Sequence, residues 1–145
     1  MASPSPVLIA VVGSGLIGLR HIDHCLSEPA ARLACIVEPG PAGAPLAAQH
    51  GVPHFASVRD MLAARSRGEL EVSGAIVAAP NDTHVPLGVE LVDAGLHALV
   101  EKPLSADVAS GRALVAKAGE EGKGKVLVGH HRRFVSKLKK QASSE

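Results

Sequence analysis

Residues 7–18 read Val7-Leu-Ile-Ala-Val-Val-Gly13-Ser-Gly15-Leu-Ile-Gly18, an apolar run that leads into three closely spaced glycines. The continuous, largely β-branched run 7–12 predicts a strand that is covered on both faces. The glycines fit the pattern G-x-G-x-x-G, in which a strand turns tightly into a helix whose N-terminus holds the pyrophosphate of a dinucleotide. A glycine-rich turn that binds no ligand is the alternative interpretation of the same residues.

Each glycine of this pattern has its own expected role. Gly13 permits the tight turn, Gly15 lets the backbone approach the pyrophosphate, and Gly18 lets the helix pack closely on the strand. The free N–H groups at the helix N-terminus would then meet the phosphates. We expect cofactor contacts from the whole loop, which also contains Ser14, Leu16 and Ile17.

An acidic residue follows at the spacing that a dinucleotide site requires. Glu38 ends an apolar run and stands 20 residues after Gly18, where an acid accepts hydrogen bonds from the adenosine ribose. Its carboxylate would repel a 2′-phosphate, and the following residues 39–41 offer no arginine, so NAD is favoured over NADP. A solvated loop acid is the alternative.

The rest of the chain alternates between strand and helix patterns. Predicted strands cover 33–37, 54–55, 74–78, 96–100 and 126–128. Predicted helices cover 16–28, 46–50, 58–67, 86–94 and 107–121. Residues 40–45 are expected to form a loop, and Ser57 and Ser105 are the expected N-caps of the helices that follow them. This order predicts an α/β fold, a Rossmann doubly wound parallel sheet in a single domain.

The composition is that of one folded domain with an aliphatic core. The chain has 145 residues, 46% of them hydrophobic and 20% charged, with a net charge of +1, which excludes a disordered chain. It contains no Trp or Tyr and only two Phe. Because single-stranded nucleic acid stacks on aromatic side chains, we expect no nucleic-acid partner.

Cysteine, histidine and the N-terminus add three further expectations. Cys25 and Cys35 lack metal-ligand spacing, and we expect them to be reduced thiols. The adjacent His130 and His131 have no carboxylate at ligand spacing, so we expect no metal. No apolar run reaches about 18 residues, so we expect no membrane span. Residues 1–6 lack a basic signal-peptide region, which predicts a disordered N-terminus and a cytoplasmic location.

Two polar motifs lie where predicted strands end. Pro80-Asn81 with His84 follows one strand, and Glu101-Lys102-Pro103 follows the next. Parallel strands end at the edge where such folds bind ligands, so these side chains are candidates for ribose, nicotinamide or substrate contacts. Taken alone, the first motif is also typical of a turn that caps a helix, and the second of a surface Glu-Lys pair.

Together with Gly129-His-His-Arg-Arg-Phe134, these motifs resemble the amino-terminal domain of the Gfo/Idh/MocA oxidoreductases over about residues 6–134. The resemblance implies an NAD(P)-binding domain of an enzyme that oxidises a sugar or cyclitol hydroxyl, or reduces the ketone. It implies a catalytic role for Lys102, whose bond to Pro103 is often cis in such proteins, and a place for Glu101 near the nicotinamide. It also implies cofactor contacts from Pro80, Asn81, His84 and Arg133.

The chain departs from that family in length, because the usual member has a second, substrate-binding domain and is more than twice as long. We therefore expect a disordered segment at 1–6, the dinucleotide-binding domain at 7–134, a basic frayed tail at 135–145, and no substrate domain. One hypothesis is an oxidoreductase acting on a polyol or sugar-like substrate, with a partner chain or homo-oligomer supplying the missing domain. The other is a non-catalytic dinucleotide-binding module: a sensor, a partner subunit or a truncated gene product.

Overall fold

A computed structural model describes residues 5–130 of the protein. Its centre is a six-stranded sheet in which every pairing is parallel, with the strand order β3-β2-β1-β4-β5-β6. This is the order of a doubly wound sheet, with β1 and β4 adjacent at the point where the direction of winding reverses. The strands are β1 (Val7–Val12), β2 (Ala31–Val37), β3 (His54–Phe55), β4 (Gly74–Val77), β5 (His97–Val100) and β6 (Val126–Val128).

Five α-helices alternate with these strands, which confirms the predicted α/β fold. They are α1 (Leu16–Ser27), α2 (Gly43–His50), α3 (Val58–Ser66), α4 (His84–Asp93) and α5 (Val108–Gly119). A short 3₁₀ turn, Asn81–Thr83, precedes α4. Across residues 5–130 no helix is both long and apolar enough to cross a membrane, and no group of three metal-ligating side chains lies within that range.

Helices cover both faces of the sheet because neighbouring strand residues point to opposite sides. Val12 of β1 packs in one buried cluster with Met61 of α3 and Leu91 of α4. Val11 packs in the other cluster with Ile22 of α1 and Ala47 of α2. The buried strands and two apolar layers place the ligand-accessible groups at the strand ends.

An irregularity in β2 keeps both faces filled. The pairing register of β1 with β2 slips between Ile9 and Ala10, which are opposite Leu33 and Cys35, so Ala34 is an extra residue in β2. Such a bulge changes which residues share a face. Leu33 and Ile36 consequently pack in the same cluster although they are three positions apart.

Three local expectations need correction. The predicted loop 40–45 overlaps α2, which begins at Gly43, because Pro45 lies in the first turn, where a missing N–H breaks no helical hydrogen bond. Helix α4 begins at His84 rather than 86 for the same reason, with Pro86 in its first turn. The N-cap of α5 is Asp107, not Ser105, because the Asp107 carboxylate accepts the Ser110 N–H at 2.9 Å.

Other local expectations are confirmed, and some fall outside the described range. Ser57 is the N-cap of α3 and accepts the Asp60 N–H at 3.1 Å. Cys25 and Cys35 are buried free thiols, and burial raises the pKa of Cys35 to about 12. Residues 1–4, Arg133 and the basic tail 135–145 lie outside the described residues.

Candidate functional site

Two glycines of the G-x-G-x-x-G motif, Gly13 before α1 and Gly18 within it, are required by packing. Gly13 has φ of +96°, and a Cβ there would lie 2.5 Å from the Ala78 carbonyl oxygen at the end of β4. A Cβ on Gly18 would lie 2.0 Å from the Gly13 carbonyl oxygen. Both contacts are far shorter than atoms tolerate, so α1 can approach the sheet this closely only with glycine at these positions.

Gly15 differs from the other two because no atom of residues 5–130 lies within 4 Å of the position its Cβ would occupy. It is the N-cap residue of α1, with φ −68° and ψ −176°, and no side chain accepts a hydrogen bond from the first turn of the helix. The open N–H groups of this turn carry the partial positive charge of the helix N-terminus. The loop therefore provides both N–H donors and the space for a ligand to reach them.

A cleft of about 850 Å³ lies over this loop and runs along the carboxyl ends of β1, β2 and β4. Its volume is typical of small-molecule and cofactor sites. The lining includes all the loop residues 13–17, Glu38 after β2, Pro80 after β4, and Arg59 from the first turn of α3. Residues 39–41, which follow Glu38, contain no arginine. The fold nevertheless brings Arg59 to the same cleft from a more distant segment.

Glu38 is held in this cleft by donors on both sides of its carboxylate. Its Oε2 accepts the Ser14 N–H and the Ser14 hydroxyl, each at 2.8 Å, and its Oε1 accepts the Gly40 N–H at 2.8 Å. Burial raises the pKa of Glu38, but these hydrogen bonds and the nearby His54 outweigh burial and hold the pKa below its ordinary value. The group is an ionised, oriented carboxylate at neutral pH.

The end of β4 carries the motif Pro80-Asn81 with His84. Pro80 and Asn81 are exposed, whereas His84 is only 1% exposed. The His84 Nδ1 lies 2.7 Å from the Pro103 carbonyl oxygen and its Nε2 lies 2.9 Å from the Ala79 carbonyl oxygen. The ring thereby bridges the segments that follow β4 and β5. A backbone carbonyl oxygen faces each of its two nitrogens.

The end of β5 places Glu101 and Lys102 beside α1. Glu101 Oε1 lies 2.8 Å from His21 Nε2, with the two side chains 16% and 18% exposed. Glu101 Oε2 accepts the Lys102 N–H at 3.2 Å. Lys102 itself is exposed, and the Lys102–Pro103 peptide bond is cis, as the family resemblance implied.

His21 was not among the residues predicted from the sequence, and it is 80 residues from Glu101 in the chain. A signal was available, because His21 stands three positions after Gly18 and so projects from nearly the same face of α1. At Gly18 this face of α1 packs closely against the sheet. A polar side chain one turn further along it would be expected to reach a strand end.

A second cavity of about 410 Å³ adjoins the cleft and shares Ile17, Ala78 and Ala79 with it. Its polar lining comes from α1, the 3₁₀ turn, the start of α4 and the end of β5. It consists of Arg20, His21, His24, Asn81, His84, Glu101 and Lys102. The structure thus brings the loop and Glu38 to one cavity and Asn81, His84, Glu101 and Lys102 to the other. Arg133 lies outside the described residues.

The fold and the cleft define a dinucleotide-binding domain of the Rossmann class. A family model described as "Oxidoreductase family, NAD-binding Rossmann fold" (GFO_IDH_MocA) matches residues 7–130. The chain therefore belongs to the Gfo/Idh/MocA oxidoreductase family and constitutes its NAD-binding domain.

Individual relatives agree with this assignment. The chain is 34% identical over 129 residues to an inositol 2-dehydrogenase of Corynebacterium glutamicum (strain R), an alignment that covers 87% of this chain and 37% of the relative. It is 29% identical to the rhizopine catabolism protein MocA of Rhizobium meliloti, over 90% of this chain and 39% of that protein. The chain thus spans somewhat more than a third of the length of these relatives.

A solved structure also shares the fold. The WlbA dehydrogenase of Bordetella pertussis, crystallised with NADH and UDP-GlcNAcA, matches with a TM-score of 0.84 and 26% identity. The match covers 96% of this chain and 39% of that chain.

Proposed function

We propose that this chain binds NAD in the larger cleft, with the pyrophosphate over loop 13–18 and the adenosine ribose at Glu38. The observation that carries the proposal is the meeting of an uncapped helix N-terminus and a fixed carboxylate in one cleft. The N–H groups of the first turn match the charge of a pyrophosphate, and the open space at Gly15 allows it to approach them.

The Glu38 carboxylate fits a ribose as well. A carboxylate accepts about four hydrogen bonds, and three protein donors reach this one, so one position remains for a ribose hydroxyl. The Ser14 hydroxyl can rotate and free a second. The nicotinamide half would extend from the larger cleft into the adjoining cavity, bordered by Pro80, Asn81 and Glu101. His84 would support these residues by holding the two strand-end segments in place.

We also propose that NAD is preferred to NADP. Glu38 is ionised and fixed by three hydrogen bonds at the end of β2, where a 2′-phosphate would meet its charge. Arg59 could attract that phosphate, but it is an exposed side chain with no hydrogen bond that fixes it among residues 5–130. Repulsion of the 2′-phosphate by the fixed Glu38 carboxylate should therefore exceed its attraction by the Arg59 side chain. Glu38→Arg should therefore reverse the preference, and an unchanged ratio of NAD to NADP affinity would contradict the assignment.

The proposed reaction is hydride transfer between NAD and a hydroxyl of a polyol or sugar-like substrate, as the names of the inositol dehydrogenase relatives suggest. The nicotinamide supplies the hydride acceptor when bound. Lys102 would bind the substrate oxygen through its ammonium donors and exchange a proton with it. Glu101 and His21 would fix the backbone that carries Lys102, and Arg133 would lie near cofactor and substrate. A second domain, from this or another polypeptide or a second copy, would supply the opposite wall.

Calorimetry with NAD and NADP tests the binding proposal directly, and Gly15 provides a sharp variant. Gly15→Ala fits the folded chain because its Cβ meets no atom and its φ suits any residue, yet it fills the space that the pyrophosphate needs. We expect at least about a tenfold loss of NAD affinity. Gly119→Ala, which also meets no atom within 4 Å, is the matched control.

The outcomes separate the two hypotheses for the chain. Failure of the wild-type chain to bind either dinucleotide would refute the proposal. NAD binding without NADH production from any of a panel of polyols, even with the second domain supplied in trans, would favour the non-catalytic module. Turnover that is lost in Lys102→Ala would support the enzyme.

A further inference from the structure

The cavity beside Lys102 is lined along one side by a single stripe of α1. His21 fixes the direction of the stripe, because its ring contacts Glu101 at the end of β5 at 2.8 Å. Side chains three and four positions apart share a helix face. The stripe therefore consists of Ile17, Arg20, His21 and His24, all of which line this cavity.

The charges in this cavity do not balance. Arg20 and Lys102 contribute two cations, and within residues 5–130 Glu101 is the one carboxylate of the lining. Both oxygens of Glu101 are already engaged, by the His21 ring and by the Lys102 N–H. Within the same range neither Arg20 nor Lys102 forms an ion pair, and Asp23 and Asp82, the acids nearest to the lining in sequence, are not part of it.

The cofactor's phosphates do not account for these cations. The larger cleft contains the glycine loop and Glu38, but none of Arg20, His24 and Lys102 lines it. Among residues 5–130, the two cavities share Ile17, Ala78 and Ala79. The positive charge thus belongs to the side on which the substrate of the proposed hydride transfer would bind.

We infer that the hydroxylated substrate of this site carries a carboxylate, which Arg20 binds with help from His24 while Lys102 contacts the reacting oxygen. This inference rests on the proposed function. A guanidinium binds a carboxylate through two parallel N–H donors, which a neutral polyol cannot match. In this cavity of about 410 Å³, Asn81 and Glu101 would border the nicotinamide, so the substrate would occupy the side that Arg20, His24 and Lys102 line.

The expected discrimination is moderate because Arg20 is exposed to solvent. Exposed charge pairs contribute little in water, so a preference of about fivefold for the charged compound is the reasonable expectation. The preference should weaken as salt is added, since salt screens exposed charges. Binding of a neutral compound should not respond to salt in this way.

The experiment compares D-glucuronate with D-glucose as probes, because these sugars share a ring and differ by a carboxylate against a hydroxymethyl group. Each is titrated into the ¹⁵N-labelled chain saturated with NADH, and amide shifts around Arg20 and Lys102 report binding. Arg20→Gln removes the guanidinium, and Arg112→Gln, an exposed arginine on α5, is the matched control. NADH affinity is measured for all three proteins.

We expect glucuronate to bind about fivefold tighter than glucose to the wild-type chain and to Arg112→Gln. In Arg20→Gln the two sugars should bind alike, with NADH affinity unchanged. Three outcomes would overturn the inference but leave the proposed function intact. They are equal binding of both sugars to the wild-type chain, no binding of either sugar, and a preference for glucuronate that persists in Arg20→Gln. Loss of NADH affinity in Arg20→Gln would assign the cation to the cofactor, which also overturns it. No NADH binding by the wild-type chain would remove the proposed function and the inference together.

Discussion

The two ends of the ligand-binding edge are built in different ways. At the Glu38 end (Ser14, Glu38 and Gly40), three hydrogen bonds of 2.8 Å fix the functional carboxylate. At the Lys102 end (His21, Glu101 and Lys102), the hydrogen bonds fix the neighbours of Lys102, while its own side chain is exposed. The difference teaches that residues 5–130 hold the carboxylate proposed to bind the cofactor in place, whereas the side chain proposed to react is exposed.

The largest effect is expected where α1 joins both ends. In Gly18→Ala the new Cβ would lie 2.0 Å from a backbone oxygen, so α1 must move, at a cost of about 3 kcal/mol or more. Gly15→Ala should lower the free energy of unfolding by no more than about 1 kcal/mol, because alanine is a poorer N-cap than glycine, although it weakens NAD binding. Urea denaturation of both variants measures the contrast, and equal destabilisation would contradict the assignment of one glycine to packing and the other to ligand approach.

His84 tests how the Lys102 end is held. His84→Ala removes a fully buried ring and leaves the Ala79 and Pro103 carbonyls without this partner, so we expect about 2 kcal/mol of lost stability. His24→Ala, in which the removed side chain is exposed, is the control and should cost little. Urea midpoints that fall alike in the two variants would show that the bridge does not stabilise this end.

Glu38→Ala separates binding from reaction. Loss of a charged hydrogen-bond acceptor from the ribose should lower NAD affinity about tenfold. Lys102→Ala should change NAD affinity much less, because Lys102 does not line the cleft proposed for the pyrophosphate and the adenosine ribose. Isothermal titration calorimetry on both variants provides the measurement. A greater loss of NAD affinity in Lys102→Ala would reverse the roles of the two ends.

The smallest effect is a pH dependence of stability from Glu38. Burial raises the pKa of this group, but hydrogen bonds from Gly40 and Ser14 outweigh burial and lower the pKa in the folded protein. A lowered folded pKa stabilises the protein above the unfolded pKa, and this contribution is lost as the pH falls through the lowered value. Between neutral pH and about pH 3, the wild type should therefore lose more stability than Glu38→Gln. Parallel pH profiles in urea denaturation would argue against a carboxylate that is held ionised.

Local patterns in the sequence predicted most of the fold. The apolar run 7–12, the glycine loop and the Ser57 cap each depend on neighbouring residues, and all three agree with the structure. Competing local caps were harder to separate, because Ser105 and Asp107 both suit the start of α5 and only the geometry of the turn selects Asp107.

Features of the candidate site that depend on distant residues could not be predicted in this way. The contact of His21 with Glu101 and the arrival of Arg59 in the cleft require the sheet to be assembled first. His84 was predicted as a cofactor contact from its place in a motif. That both of its nitrogens meet backbone carbonyls follows from the packing of two strand-end segments, which no sequence spacing records.

The His84 bridge has a consequence for how the domain fluctuates. Because one buried ring joins the segments after β4 and β5, neither segment can open to solvent without breaking the same contact. Their amide hydrogens should exchange as a single cooperative unit, slower than those of an unlinked surface turn. Ligand that orders one segment would then slow exchange in the other, even where it touches only the first.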